Sequence, residues 1–298
     1  NWVHISNTQD QCTACKRTRT RTYWNDINIY HPNGGQLRDD GNYGWGYIKI
    51  SNDGSNWSGE VTNENDMTAN RTYGSRIYVK YIRPFYDYLE FGSITADGDI
   101  VSAGTNTWYH TVTGDSQFIN IYMQYKHTTL TLDPNGGTIN GNSSPQALSP
   151  QMQYSTANWN TLSGKPTKPG YTFEGWYDAA TGGTKVYDTD GKCIRGTKYW
   201  DSNGNSLCVN DLTVYAHWKI NTYNIYYTLY GSNTSLQRTY TVESNNFTLP
   251  TNPTLQGYTF KGWIGGIDQK DPVKKGNIYQ TLTRNITVEK GSYGDYFF

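Results

Sequence analysis

Short stretches of alternating apolar and polar residues recur along the chain and end at turns rich in Pro, Asn and Gly. Residues 130–142, LTLDPNGGTINGN, alternate up to a Pro-Asn-Gly-Gly turn. Residues 27–42 follow the same pattern, and residues 223–235 keep the strand but have a looser turn. Such alternation predicts half-buried β-strands, and such turns predict hairpins. No stretch has a long apolar face with the helical period, so we predict a mainly β protein with little helix.

The opening strands mark the beginnings of three units, and each unit also ends with an alternating strand. The predicted closing strands are residues 119–126, 212–219 and 286–293. Because the connections between units are short, we predict modules arranged end to end, each contacting only its neighbours. The predicted domains are an N-terminal segment, 1–24, and three β modules, 25–127, 128–220 and 221–298.

One motif, Gly-Tyr-Thr-Phe-x-Gly-Trp, occurs at residues 170–176 and again at 257–263. A catalytic motif is usually needed once, whereas a structural motif is needed once per module. We interpret it as a core strand with an aromatic anchor, in which glycines allow a bend and close packing. The predicted structural residues are Gly170, Tyr171, Phe173, Gly175, Trp176, Gly257, Tyr258, Phe260, Gly262 and Trp263. In the first unit, only residues 83–91, RPFYDYLEF, offer a degenerate equivalent.

These motifs together resemble a known family. The succession D-x-N-G-G, P-T-x-P-G-Y-T-F-x-G-W-Y and L-T-V-Y-A-x-W in residues 133–218 resembles the Listeria–Bacteroides repeat, the internalin B-repeat type of bacterial surface proteins. The third unit keeps the middle motif, whereas the first keeps only Pro-Asn-Gly-Gly and the closing strand. The first unit is therefore either a degenerate repeat or a separate β domain. The resemblance implies β-grasp-like modules in series on secreted or wall-attached proteins, serving as a stalk or an adhesive surface without catalysis.

Composition narrows the possible partners. The chain has 298 residues, a formal charge of zero, 17% charged residues, 27 Tyr and 10 Trp. Zero net charge argues against nucleic acid or an anionic membrane as the main partner. No run of about 18 apolar residues exists, so no membrane insertion is predicted. The sequence begins at Asn1 with neither an initiator Met nor a signal peptide, and we expect a processed product or a piece of a longer chain.

Cysteines provide two pairs. Cys193 and Cys208 flank a turn sequence, DSNG, and a hairpin there would bring the two thiols together as a disulfide in an oxidising compartment; the alternative is two free thiols. Cys12 and Cys15 have CxxC spacing, but neither a second CxxC nor a His cluster accompanies them. We expect a tight local disulfide or an exposed pair of thiols there.

Candidate catalytic and metal-binding groups favour structural roles. The carboxylate pairs Asp39–Asp40, Asp87–Glu90 and Asp188–Asp190 are in turn-like or strand-face settings without a nearby nucleophile or base. The oxygen-rich stretches 51–56 and 201–206 lack EF-hand spacing and are typical of Asx turns rather than calcium sites. We therefore predict no enzyme activity, no cofactor and no metal.

Aromatic residues outside the repeated motif suggest a possible ligand contact. Trp45, Trp57 and Trp108, together with Trp159 and Trp200, lie in Gly- or Asn-rich segments, where binding residues are common. Their rings could stack on sugar rings. The alternative function is therefore a carbohydrate-binding module that recognises host or cell-wall glycans.

Two further segments bear on partners. Residues 16–24, KRTRTRTYW, alternate basic residues with Thr. This pattern favours a charged edge strand; the alternative is that its arginines bind an acidic surface or a phosphate. At the other end, residues 296–298 are predicted to leave bare aromatics on an open strand edge, to be covered by a following module or by another chain.

Together these observations predict a non-catalytic extracellular segment of a bacterial surface protein, a stalk or filament-forming adhesive repeat. Its expected partners are neighbouring repeats or other protein chains. A phage or virus fibre is a further alternative, since such appendages use similar repeats.

Overall fold

A computed structural model describes residues 2–6, 9–20, 22–32, 46–60, 69–84, 86–114, 116–230 and 235–298. Trp45 and the Asp39–Asp40 pair lie outside these ranges. The chain divides into two compact units: an N-terminal unit of residues 1–128, 153–156 and 207–210, and a C-terminal unit of the remaining residues. Strands dominate both, and the described ranges contain no helix. Accordingly, none of their residues belongs to an apolar helix of membrane-spanning length.

The N-terminal unit consists of a small three-stranded sheet followed by two four-stranded sheets. The small sheet has the order β1-β2-β3, and the larger sheets have the orders β5-β7-β10-β9 and β6-β4-β11-β8. The strands are β1 (Trp2–Ser6), β2 (Gln9–Cys12), β3 (Thr18–Thr20), β4 (Thr22–Tyr30), β5 (Gly46–Ser51), β6 (Ala69–Thr72), β7 (Arg76–Pro84), β8 (Leu89–Ala96), β9 (Val101–Gly104), β10 (Thr107–Thr111), β11 (Gln117–Tyr125) and β12 (His127–Thr128).

Both larger sheets contribute to one core, which makes this part of the unit a β-sandwich. Ile29 and Ile121 come from one sheet, Ile48 and Val79 from the other, and all four are buried. The first long strand, β4, pairs in parallel with the last, β11. The stretch 83–91, offered as a degenerate equivalent of the motif, does not form one core strand, because its described residues belong to the end of β7 (83–84), a turn (86–88) and the start of β8 (89–91).

The C-terminal unit contains two five-stranded sheets with one topology. Their orders are β14-β13-β18-β16-β17 in residues 128–220, the second module, and β20-β19-β25-β22-β23 in residues 221–298, the third module. The strands from residue 130 onward are β13 (Leu130–Asp133), β14 (Gln146–Ala147), β15 (Met152–Gln153), β16 (Tyr171–Tyr177), β17 (Lys185–Tyr187), β18 (Leu212–Ile220), β19 (Tyr223–Thr228), β20 (Ser235–Tyr240), β21 (Phe247–Thr248), β22 (Trp263–Ile267), β23 (Ile278–Thr283), β24 (Thr287–Val288) and β25 (Tyr296–Phe297).

In both modules the first strand lies in parallel beside the last, at the centre of the sheet. Leu132 of β13 pairs with Val214 of β18, and Ile225 of β19 pairs with Tyr296 of β25. These paired residues are all buried, because alternation places one side chain of every two on the core face. In the second module the repeated motif lies on the other side of the last strand and pairs with it antiparallel. In the third module the pairing with the last strand is made by residues 266–267, which follow the motif.

The closing strand of the third module differs from the prediction. Within residues 286–293 only β24 is a strand, and it pairs with β21 rather than joining the central sheet. The central position belongs to β25, whose Tyr296 is buried between β19 and β22. Phe298 packs against the same core. The predicted bare aromatic edge is therefore wrong for Tyr296 and Phe298, while Phe297 faces solvent.

Candidate interaction surfaces

The repeated motif of the second module builds a compact aromatic core. Trp176 is 1% exposed, and the ring of Phe173 meets it edge-on with 5.5 Å between ring centroids. Gly175 has a φ of 128°. A Cβ added there would lie 2.7 Å from the backbone oxygen of Tyr187. Only glycine combines that backbone conformation with so close an approach of the neighbouring strand.

The Pro-Asn-Gly-Gly turn of the second module supports the end of β18. The indole Nε1 of Trp218 donates to the Pro134 carbonyl at 3.1 Å, and Asn135 Nδ2 donates to the Ala216 carbonyl at 3.0 Å. A Cβ on Gly137 would lie 2.5 Å from the Trp218 ring. The turn thus packs on the tryptophan that also lies beside Phe173, with 5.6 Å between ring centroids.

In the third module the same motif is only partly inserted into the sheet. Trp263 is 3% exposed, but Phe260 is half-buried and Tyr258 is 62% exposed. Residues 257–262 lie outside any strand, and β22 begins at Trp263. In the second module, by contrast, β16 includes Tyr171 and Phe173, which pair with β18.

An apolar groove accompanies this difference, with a cavity volume of about 350 Å³. One wall is the end of β19 and the residues after it, including Leu229 and Tyr230; the other is residues 258–264 of the motif. Tyr230 is 95% exposed and Leu282, at the rim, is 60% exposed. This aromatic concavity is one surface on which another molecule could dock.

A second surface is the junction between the second and third modules, within the C-terminal unit. The Tyr171 hydroxyl donates to the Glu243 carboxylate, which raises the pKa of the tyrosine. Asn221, in the connection, donates its backbone N–H to the Gly170 carbonyl at 2.9 Å. A Cβ on Gly170 would lie 2.7 Å from Val242. The motif's first two residues therefore form an intermodule contact. The repeat pattern did not predict this role, because Glu243 and Val242 lie outside every repeated segment.

The described tryptophans among those predicted to contact a ligand differ in their burial and in their neighbours. Trp108 is half-buried and stacks on Phe91 with 5.0 Å between ring centroids, as part of the sandwich core. Trp57 is half-buried with Lys80 Nζ 5.9 Å from its ring centroid. Trp200 is fully buried. The buried ring of Trp200 offers no face to a sugar, and one face of the Trp108 ring is covered by Phe91.

None of the four cysteines forms a disulfide, so the predicted Cys193–Cys208 bridge is not formed. The intervening chain makes an additional tight turn before the DSNG turn, with Thr197 N donating to the Trp200 carbonyl at 2.9 Å. Trp200 then pairs with Ser206. Extending that register would place residue 198, not Cys193, opposite Cys208.

The Cys12–Cys15 pair forms a local hydrogen-bonded turn. The Cys15 N–H donates to Cys12 Sγ at 3.3 Å, and hydrogen bonds from Cys15 lower the pKa of the Cys12 thiol. The basic segment that follows contains β3. This strand lies at one edge of the small sheet and pairs with β2, with Arg19 in register with Asp10.

The carboxylates of the oxygen-rich stretches 51–56 and 201–206 accept local hydrogen bonds. Asp201 accepts the backbone N–H groups of Asn203 and Asn205, both at 2.8 Å, which lowers its pKa. Asp53 accepts those of Ser55 and Asn56 in the same way. These are Asx turns. Among the described residues, no cluster of three His, Cys, Asp or Glu side chains could hold a metal ion.

The other carboxylate pairs are likewise part of the scaffold. Glu90 Oε1 lies 2.8 Å from His127 Nδ1 and accepts from Gln124 Nε2 at 3.0 Å. Asp188 Oδ1 accepts the backbone N–H groups of Asp190 and Lys192, both at 2.9 Å. Each oxygen fixes a turn or joins neighbouring segments.

Comparisons with known proteins match the repeated part of the chain. The model of the Listeria-Bacteroides repeat domain matches residues 129–217 and 223–288. Internalin H of Listeria monocytogenes is 40% identical over 129 residues, which are 40% of this chain and 20% of that protein. The chain thus spans about a fifth of the length of this curated relative.

Solved structures with some likeness are more distant. The C-terminal fragment of the pilus adhesin SpaC from Lactobacillus rhamnosus GG has 13% identity and a TM-score of 0.26, covering 67% of this chain and 98% of that one. The Bacillus anthracis TIE protein has 9% identity and a TM-score of 0.36, covering 95% of this chain and 52% of that one.

Proposed function

The chain belongs to the Listeria-Bacteroides repeat domain family, and we propose that it is a non-catalytic, extracellular structural segment of a bacterial surface protein. Its modules would act as a stalk that carries or extends an adhesive surface. The identity with Internalin H supports a place among surface-protein repeats. The division into modules 25–127, 128–220 and 221–298 is part of the proposal, supported by the separate sheets that these segments form.

The parallel pairing of the first and last strands is the observation that carries the stalk proposal. It recurs as β4 with β11, β13 with β18 and β19 with β25. When two parallel strands enter and leave a module at opposite ends, tension on the chain pulls them past each other. All the hydrogen bonds between them are then loaded together, rather than broken one after another. This geometry suits a chain that must transmit force.

The junction between the second and third modules supports the same role. The connection between β18 and β19 is only residues 221–222, and both flanking modules contact each other through Tyr171 and Glu243. A connection of this length cannot act as a flexible linker. We propose that neighbouring repeats are the chain's main partners, with no role for nucleic acid or membrane insertion.

Surface display is tested in the bacterium that encodes the protein. Antibodies raised against residues 128–298 should label intact cells, and a protease added outside should remove that labelling without lysis. A cytoplasmic protein serves as the control that stays protected. Labelling only after permeabilisation would contradict the extracellular assignment.

A further inference from the structure

The sheet β5-β7-β10-β9 of the N-terminal unit has one face in the core and one face outside it. In β7, buried Ile77 and Val79 alternate with exposed Arg76 and Lys80, because successive side chains of a strand point to opposite faces. Four cations of β5 and β7 share the outer face, and we call them the basic face: Lys49, Arg76, Lys80 and Arg83.

Two of these cations lie directly opposite each other. Lys49 of β5 is in register with Lys80 of β7, and Lys80 Nζ lies 5.9 Å from the centroid of the Trp57 ring. Among the described residues, neither lysine forms an ion pair with a carboxylate. Like charges directly opposite on antiparallel strands destabilise a sheet. An arrangement that works against the stability of the fold is expected where side chains serve binding.

The two arginines lie over tyrosine rings. Arg83 Cζ is 3.6 Å from the centroid of the Tyr47 ring, and Arg76 Cζ is 4.3 Å from that of Tyr109. Arg76 Nη1 also donates to the Tyr78 hydroxyl at 3.3 Å. These contacts hold each planar guanidinium in place, and its fork of N–H groups matches the two oxygens of a carboxylate.

The carboxylates near the basic face lie outside the strands of its sheet. Glu60 Oε2 is 3.2 Å from Arg83 Nη2, and both side chains are exposed. Asp99 accepts the backbone N–H and the hydroxyl of Thr111 at 3.1 and 3.0 Å, and Asp53 is held by its own turn. An exposed ion pair contributes little to stability, so a carboxylate of a ligand can replace Glu60 on Arg83.

We propose that the basic face binds a linear polysaccharide that carries carboxylates on alternate sugars. The polysaccharide runs along β7 and places its carboxylates on the arginines and on the central pair of lysines. The hydroxyls of Tyr78 and Tyr109 are donors and acceptors suited to sugar hydroxyls. The ligand does not add as a strand, because β7 already pairs with β5 and β10 on its two sides.

The spacing of the cations favours a polysaccharide over a nucleic acid. At about 3.4 Å per residue, Arg76 and Lys80 are about 14 Å apart along β7, and Lys80 and Arg83 are about 10 Å apart. Phosphates along one strand of DNA follow every 3.4 Å or so of the helix axis, about a third of the shorter of these distances. A polymer with widely spaced charges therefore matches the basic face better.

Isothermal titration calorimetry of the whole chain with a hyaluronan octasaccharide, which has this alternating pattern, tests the proposal. We expect saturable binding with one site per chain, and binding should weaken as salt is added because exposed charges are screened. The methyl ester of the same octasaccharide should bind at least about tenfold more weakly, because its charge-assisted hydrogen bonds are lost.

Variants of the protein locate the binding. The double variant Lys49→Gln, Lys80→Gln should bind at least about tenfold more weakly. Its thermal midpoint should equal or exceed that of wild type, because the repulsion is removed. The double variant Lys270→Gln, Lys290→Gln changes the net charge equally at exposed positions of the third module and should bind like wild type.

A conservative variant tests the guanidinium fork separately. Arg83→Lys keeps the charge but loses the planar donors, so binding should weaken several-fold while the fold is kept. Circular dichroism of each variant checks that it is folded.

Four results would overturn the proposal: no saturable binding of the octasaccharide, equal binding of its methyl ester, wild-type binding by the Lys49→Gln, Lys80→Gln variant, or a lowered thermal midpoint in that variant. Tighter binding of a single-stranded oligodeoxynucleotide or of a glutamate oligomer with the same number of charges would also overturn it, because the ligand would then be a nucleic acid or an acidic peptide.

Discussion

The Tyr171 hydroxyl donates a hydrogen bond to the Glu243 carboxylate across the boundary between two modules. Tyr171 belongs to the repeated motif of the second module, and Glu243 follows β20 of the third. One residue of a core motif therefore also joins neighbouring modules.

Removing this hydrogen bond should weaken the junction in a pH-dependent way. We expect Tyr171→Phe to lower the free energy of unfolding by about 1 kcal/mol or less at neutral pH, since the group is partly exposed. The bond raises the tyrosine's pKa above its ordinary value of 10.0. The neutral hydroxyl is thus favoured in the folded state, so its stabilisation is complete below pH 10 and is lost as the pH rises further.

Urea unfolding between pH 7 and pH 11 measures this effect. The wild-type chain should lose more stability than Tyr171→Phe over the alkaline part of the range. Tyr258→Phe is the matched control at the exposed equivalent position and should behave as wild type. Equal alkaline losses in the wild type and Tyr171→Phe would contradict the assigned role of the bond.

Alanine substitutions at two equivalent glycines distinguish the effect of backbone strain from the effect of packing at the junction. Gly170 and Gly257 both have positive φ, 78° and 85°, so an Ala at either position is strained by about 1 kcal/mol. A Cβ at Gly170 would also clash with Val242, whereas nothing lies within 4 Å of one at Gly257. We expect Gly170→Ala to lower the thermal midpoint clearly more than Gly257→Ala. Equal shifts, measured by calorimetry, would show that Val242 does not press on Gly170.

The aromatic anchor should dominate the stability of the second module. Trp176→Ala removes a side chain that is 1% exposed and leaves a cavity in the core. We expect a loss of about 3–5 kcal/mol, or failure of the module to fold. Glu174→Ala, on the exposed face of the same strand, should change stability by less than about 0.5 kcal/mol. Similar effects of the two substitutions in urea unfolding would contradict the assignment of Trp176 to the core.

We expect all four cysteines to be thiols and none to be in a disulfide. Because the structure contains no disulfide, all four should titrate with Ellman's reagent in urea without prior reduction. A reducing agent should leave the thermal midpoint unchanged. Two reactive thiols, with a midpoint lowered by reduction, would instead indicate that Cys193 and Cys208 are bridged.

The alternation of residues and the repeated motif were sufficient to predict a mainly β chain. They also identified Trp176 and Trp263 as anchors, because local periodicity determines which side chains share a face. The central strand of the third module was assigned wrongly. Residues 286–293 and Tyr296 both fit an alternating strand, and only the pairing with β19 selects between them.

The sequence pattern did not predict features that depend on contacts between residues distant in the chain. Trp108 lies in a Thr- and Asn-rich stretch typical of an exposed turn, yet it packs on Phe91 from another strand. The failure of Cys193 to pair with Cys208 has a similar cause, since Thr197 closes a further local turn that the sequence did not distinguish from a strand.

Single-molecule pulling on the second module within the whole chain tests the central claim, that the parallel first and last strands make each module a load-bearing element. Handles at Thr129 and Asn221 load the pairing of β13 with β18 lengthwise, while handles at Thr131 and Thr213, which are directly in register, peel the strands apart. The account predicts a higher unfolding force in the first geometry, because all the bonds resist together. Equal forces in the two geometries, or a lower force lengthwise, would contradict it.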